Sequence, residues 1–557
     1  MKQRAPAQLL HLGPGLANAL ANLHNARRAN SPVLNIVGDM ATWHRGADAA
    51  LETDIESLAR CVSAHVCTSL LPGALRADGV EALRATRRDA RNAPGAKGRV
   101  STLIVPHDRS WEPFECPEKP EGDTGGTGGA TKNFFDGADE DDEDDVGTRN
   151  AVLRNKKQET AAFLDLCADA LVTAPRGKVA LYCGGDALLA ADGAIQAAGA
   201  VAALLGGELL CENNFARVDR GFDLPSPRRL PYFPKDAARE LARFHTVVCV
   251  DAKRPVAMFG YADAGPSHLL RLEEDRVWDL DVGGDSARTV ADVVVGLRDA
   301  VAKRLGRHVP TSAKHNDDAY WTVPPRPRPK LPFGVDLVDL SIDADADGSA
   351  PRDHASPHAT QKKKLTPDAM CAVVAALQPE DCVVVDESLT SGTSYWDKSA
   401  GCPRFQHLTL TGGAIGLGPC ASVGAAVAAG AKRRVVNLQA DGCAAYAPQA
   451  LWTQARERLN VVTVVCANAR YAILELEQMM QRTNLNATKP SHDNVSREQP
   501  CASKRLTTLA DPKIDWTRLA EGFGVPAARA ECPEGFARAF KRALERNGPS
   551  LIEAVLA

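Results

Sequence analysis

The sequence is short of the features that would place it in several large functional classes. Its fifteen cysteines include no C-x-x-C pair and no Cys/His cluster at zinc spacing. A chain of 557 residues needs no disulfide framework to build a core, so a reducing, cytoplasmic setting is expected. No apolar run reaches membrane-spanning length, and the opening MKQRAPAQLLHLGPG holds too short an apolar stretch for a secretory signal. There is no basic excess: 66 Lys and Arg against 70 Asp and Glu leave a formal net charge of -4. Neither nucleic acid nor an anionic membrane is therefore an expected partner. No G-x-G-x-x-G follows the strand-like KVALYC, which disfavours a nicotinamide- or flavin-binding protein. No repeat of solenoid length is visible. Asp343, Asp345, Asp347 and Gly348 imitate the start of a calcium loop, but its twelfth position is His354 where a bidentate Glu is required, so the calcium reading fails.

What is present is ordinary globular composition, 44% hydrophobic and 24% charged, with room for three or four domains at roughly 150 residues each. Composition shifts divide the chain into three folded blocks and two connectors. In residues 1–115 the short apolar runs LLHLGPG, SPVLNIVGD and RVSTLIVPHD alternate with helical stretches, the pattern of a parallel sheet. Residues 116–157 form an acidic, Gly- and Pro-rich insert that includes the unbroken acidic run Asp139–Asp145 and reads as solvated chain. Residues 158–315 repeat the α/β pattern with KVALYCGG, the Ala-rich AIQAAGAVAALLGG and HTVVCVDA. Residues 316–364 carry PPRPRPK, DADADGS and KKK and read as a linker. Residues 365–557 make the third block.

Within that block, RRVVNLQADGCAAYAPQALWTQARERLNVVTVVCANARYAIL reads as a buried strand, a turn at Asp441 and Gly442, an amphipathic helix and a second strand running to Asn468. A carboxylate and an amide at the C-terminal ends of neighbouring parallel strands converge on the crevice where open α/β sheets bind ligands. Such hard oxygen donors suit Mg²⁺ held together with a phosphate. An Asp-Gly pair after a strand also occurs as a plain turn, so the pair alone leaves both readings open.

Taken together these residues resemble the thiamine diphosphate-dependent enzymes, in particular the acetolactate synthase-like and benzoylformate decarboxylase-like members. The family's cofactor motif is Gly-Asp-Gly, about 25 residues, then Asn-Asn; here Ala440-Asp441-Gly442 and Ala467-Asn468 keep both presumed metal ligands. The resemblance implies that Asp441, the Asn468 side chain and the backbone carbonyl of Arg470 hold Mg²⁺. It puts Gly442 and Cys443 near the diphosphate, with Cys443 otherwise readable as a small buried residue. Tyr446 and Tyr471 fall on cofactor-adjacent tyrosines, or are core aromatics. Upstream, VVVDESLTSGTSYW resembles the family's hydroxyl-rich diphosphate loop, with Thr390 and Ser391 as donors. In TGGAIGLGPCASVGAAVAAG the resemblance places Gly413 beside the aminopyrimidine and Ile415 as the apolar wedge that bends the cofactor.

The first block resembles the pyrimidine-binding domain, with His11 on the position of an active-site histidine or, alternatively, a structural strand-end histidine. The second resembles the central Rossmann-like domain and the third the diphosphate-binding domain. The expected fold class is therefore α/β with three doubly wound parallel-sheet domains. The expected function is that of a thiamine diphosphate- and Mg²⁺-dependent enzyme acting on a small 2-oxo acid, by decarboxylation or by carboligation, assembled as a homodimer or homotetramer. The family's activating glutamate lies about two dozen residues before the segment matching LLHLGPG, whereas nine residues precede Leu10 and none is acidic. The resemblance thus implies an N-terminally truncated first domain: a longer product with a different start, or an impaired homologue that binds cofactor and serves as a binding or regulatory subunit. The chain as given is expected to turn over 2-oxo acids slowly or not at all.

Overall fold

In a computed structural model of the chain the described residues are 5–71, 73–87, 98–111, 146–260, 267–280, 289–307, 325–332, 335, 363–486 and 502–557. The acidic run Asp139–Asp145, the imitation calcium loop and most of the expected linker lie outside them. Among the described residues no helix is long and apolar enough to cross a membrane.

Four strands, β1 (Ala7–His11), β2 (Val33–Asp39), β3 (His65–Thr68) and β4 (Val100–Pro106), form a sheet in the order β1-β2-β4-β3. Every neighbouring pair is parallel. Leu16, Leu23, Ile55, Val37 and Ile104 fill the layer between this sheet and its helices. Six further strands follow: β5 (Val179–Cys183), β6 (Glu208–Cys211), β7 (Arg217–Arg220), β8 (Arg228–Arg229), β9 (Thr246–Val250) and β10 (Val277–Leu280). All but β7 make a second parallel sheet, β10-β9-β5-β6-β8.

The third sheet uses β11 (Val383–Glu387), β12 (Phe405–Thr409), β13 (Val435–Ala440), β14 (Val461–Ala467), β15 (Ala527–Ala530) and β16 (Ser550–Val555) in the order β15-β16-β14-β13-β11-β12-β7. Its first six strands are parallel. Parallel sheets are covered on both faces, so their strands are apolar throughout rather than alternating. Every residue of β14, VVTVVCA, is accordingly buried. Helices Pro367–Leu377 and Pro533–Glu545 bury Met370, Val374, Phe536 and Phe540 on one face. The helix Leu417–Ala429 covers Val383, Val385, Val435 and Val461 on the other.

The three parallel-dominated sheets are those the family resemblance implies. Two compact units result, residues 1–170 with 281–304, and residues 171–280 with 305–557. The second and third sheets share a unit, and the middle block gives β7 to the third sheet, where it pairs antiparallel with β12. Arg220 anchors that edge. Its guanidinium is buried, lies 3.8 Å from the centre of the Trp396 ring, and donates to Ser399 Oγ and the Trp396 carbonyl, each at 2.6 Å. An arginine and a short alternating run in mid-chain carry no local sign of which sheet will take them.

His407 on β12 is fully buried among Phe215, Tyr395, Trp396 and Phe405. Its Nε2 lies 3.3 Å from Asp386 Oδ2. Burial pushes the imidazole down to about 4 despite that carboxylate. The unfolded chain, with an ordinary histidine near 6.5, therefore binds a proton that the folded chain refuses between about pH 6.5 and 4. Stability of this unit is expected to fall as pH drops through that window, by on the order of 3 kcal/mol from this residue. Urea unfolding at pH 7.5, 5.5 and 4.5, with His407→Phe as control, tests it: the variant should lose part of the slope.

Candidate active site

Parallel pairing aligns Ala440 at the end of β13 with Cys466 near the end of β14. The residues that follow, Asp441 and Asn468, therefore leave the sheet at the same edge. The turn expected at Asp441 and Gly442 is instead the first turn of a short helix, Asp441–Ala444. Asp441 is buried; Oδ1 accepts from the Gly442 amide at 2.8 Å and Oδ2 from the Ala469 amide at 2.6 Å. Burial raises its carboxyl above the usual range, with these amides opposing the shift. Among the described residues it forms no ion pair with Lys, Arg or His, so backbone donors are what hold its charge.

Asn468 reaches both ways. Its Nδ2 points to Ser391 Oγ at 3.4 Å, and its Oδ1 accepts from the Arg470 amide at 3.1 Å. The hydroxyl loop and the strand end are thus brought together. Ser391 is buried and Thr390 half-buried. Ala469, between the two, adopts a left-handed φ of 56°, which turns the chain so that its own N–H faces the Asp441 carboxylate.

Tyr471 packs over Gly442, its hydroxyl 3.5 Å from the Gly442 carbonyl. A Cβ on Gly442 would stand 2.4 Å from the Tyr471 ring, so glycine is required by that close approach. Cys443 is buried and burial pushes its thiol up, which leaves it a protonated, small buried group. Tyr446 is mostly exposed, which sets aside the core-aromatic reading for it. Gly413, exposed and at φ 81°, has open space where a side chain would be. Ile415 is half-buried in the same turn. Gly416 caps the helix Leu417–Ala429 at φ 94°, and a Cβ there would meet Tyr446 at 2.7 Å. His11 is exposed at the C-terminal end of β1, in the other unit.

Sequence reasoning passed over Glu387 and Gln439. Glu387 ends β11 and is buried; its carboxylate accepts from the Gly416, Leu417 and Gly418 amides and from Gln439 Nε2. The signal is present in VVVDESLTSG, where two acids, Asp386 and Glu387, end a strand that opens with three valines.

The arrangement fits a divalent cation bearing a diphosphate. A buried carboxylate without a cationic side chain stands beside an amide and a hydroxyl at the ends of neighbouring strands, and the open face at Gly413 lies on the turn after β12. Residues 393–554 match the family described as Thiamine pyrophosphate enzyme, C-terminal TPP binding domain, and residues 1–58 match Thiamine pyrophosphate enzyme, N-terminal TPP binding domain. The chain belongs to the thiamine diphosphate-dependent enzymes.

Its relatives include the protein named "Putative acetolactate synthase large subunit IlvX" from Mycobacterium tuberculosis, 35% identical over 558 aligned positions that cover 99% of this chain and 87% of the relative. Benzoylformate decarboxylase from Pseudomonas aeruginosa is 30% identical over 189 positions, 34% of this chain and 32% of that one. Among solved structures, a thiamine diphosphate-dependent 4-hydroxybenzoylformate decarboxylase from Rhodococcus jostii superposes with a TM-score of 0.65 at 22% identity, covering 99% of this chain and 87% of the other. Benzoylformate decarboxylase from Polynucleobacter necessarius gives 0.65 at 18%, with the same coverage. At these identities the two structures establish the shared fold.

Gly442→Ala is expected to destabilise the protein by about 1–3 kcal/mol through overpacking against Tyr471. Thermal unfolding of a double-mutant cycle with Tyr471→Ala checks the cause: the glycine change should cost little once the ring is gone.

Proposed function

We propose that this chain is a thiamine diphosphate- and Mg²⁺-dependent enzyme acting on a 2-oxo acid, by decarboxylation or by ligation of the resulting acyl unit to a second carbonyl. The observation that carries the reading is the buried Asp441 carboxylate, short of positive charge, with Asn468 at the next strand end. Asp441, Asn468 and the backbone carbonyl of Arg470 would hold the Mg²⁺. Ser391 and Thr390 would donate to the diphosphate, Gly413 would leave room beside the aminopyrimidine, and Ile415 would press on the cofactor from the same turn.

When bound, thiamine diphosphate supplies the electron sink that a 2-oxo acid needs in order to lose carbon dioxide. The chain's own residues bind and orient. The cation offsets charge at Asp441, and the apolar strands behind it exclude water, which strengthens each electrostatic contact at the sheet edge. The names carried by the relatives, an acetolactate synthase subunit and a benzoylformate decarboxylase, support a 2-oxo acid as the substrate class. A reducing, cytoplasmic setting is also proposed, since a chain of 557 residues needs no disulfide framework to build a core.

Binding of thiamine diphosphate is expected to require Mg²⁺ and to be lost in Asp441→Ala. Calorimetric titration with and without Mg²⁺ measures both. Affinity that is unchanged by omitting the metal or by the substitution would refute the assignment.

We further propose a homodimer or homotetramer, since the family resemblance has one cofactor enclosed between domains of two subunits. Sedimentation at micromolar concentration should show a species of at least twice 59.3 kDa; a monomer alone would count against it.

A further inference from the structure

Glu387 lies where the order of the third sheet reverses: from β11 the chain moves outward to β12, then returns to place β13 on the opposite side. In open α/β sheets such a reversal opens the crevice that takes ligands. The Glu387 carboxylate fills the base of this one. Oε1 accepts from Gly416 N at 2.8 Å and Leu417 N at 3.3 Å, and Oε2 accepts from Gly418 N at 2.8 Å and Gln439 Nε2 at 2.6 Å.

Three of those donors are the first amides of the 13-residue helix Leu417–Ala429 and its cap, groups that have no partner inside the helix and that favour negative charge. A serine or aspartate at the cap position would satisfy such amides locally. Here the cap is Gly416, which has no side chain, and the carboxylate comes from a strand 29 residues away. A Cβ on Gly418 would stand 2.9 Å from Glu387 Oε2 and 2.2 Å from Gln439 Oε1, so the backbone reaches the carboxylate only because that residue is glycine.

The other two cofactor-facing segments have anchors of their own. The hydroxyl loop is held by Asp386, which accepts from the Ser388 amide at 3.0 Å and from its hydroxyl and is backed by His407. The Asp441 end is held by the Gly442 and Ala469 amides. The glycine turn carrying Gly413 and Ile415 is held at its start by Thr411, whose hydroxyl donates to the Phe215 carbonyl at 3.1 Å, and at its helix end by Glu387.

We infer that Glu387, with Gln439, is a positioning residue that sets the glycine turn and thereby the pyrimidine end of the cofactor, while the diphosphate end is held independently of it. The inference rests on the function proposed above.

Two probes separate the ends: thiamine diphosphate and inorganic pyrophosphate, each titrated calorimetrically with Mg²⁺ into the wild-type chain, Glu387→Gln and Gln439→Leu, with thermal unfolding to confirm folding. Glu387→Gln is expected to bind thiamine diphosphate at least tenfold more weakly while its pyrophosphate affinity stays within twofold of wild type. Gln439→Leu, which keeps the three helix-end bonds, should show the same selective loss at about threefold, and it carries the test if Glu387→Gln does not fold. Equal losses for both probes, or no loss for either, would overturn the inference while leaving the proposed function intact. A wild-type chain that binds neither probe overturns the proposed function and this inference with it.

Discussion

The parallel pairing of β13 with β11 on one side and β14 on the other is the constraint on which the rest of the C-terminal half depends. Parallel strands all present their C-terminal ends at one edge, so residues 387, 441 and 468, far apart in sequence, leave the sheet side by side. The pairing is itself secured by burial: Val384, Val436, Leu438, Val462 and Val464 are closed off on one face and Val383, Val385, Val435 and Val461 on the other. At about 25 cal/mol per Å² of apolar surface removed from water, these runs hold the frame against the cost of charges placed at its end.

Two buried carboxylates at that edge have unlike surroundings. Glu387 faces three helix-end amides and a side-chain amide, a donor set that answers both of its oxygens. Asp441 has one backbone amide on each oxygen. Burial raises both carboxyls, but only Glu387 has a side-chain amide among its donors. The first is therefore engaged in fixing backbone, whereas the second keeps the role proposed for it above, although each is an acid at a strand end.

Close packing of side chains against backbone explains why glycine recurs here. Gly442 lies under Tyr471, Gly416 against Tyr446, and Gly418 beside Glu387 and Gln439. Each places a main-chain amide nearer to its neighbour than any side chain would permit. The backbone donors at this edge are positioned by those approaches rather than by loop composition.

The valine-rich strands, the Ala-rich helix after Gly416 and the spacing of Asp441 from Asn468 could be read from the sequence, because burial on both faces of a parallel sheet writes continuous apolar runs and a strand-helix-strand unit fixes a spacing. Only the tertiary structure decided the rest. It gave β7 to the third sheet, since a short strand with Arg217 and Arg220 has no local preference until Trp396 and Phe405 are there to receive the buried guanidinium. It made a helix of the turn at Asp441. It also brought Glu387 to amides 29 to 31 residues away: an acid at the end of a strand reads as a charge on a loop until a crossover carries a helix N-terminus over it.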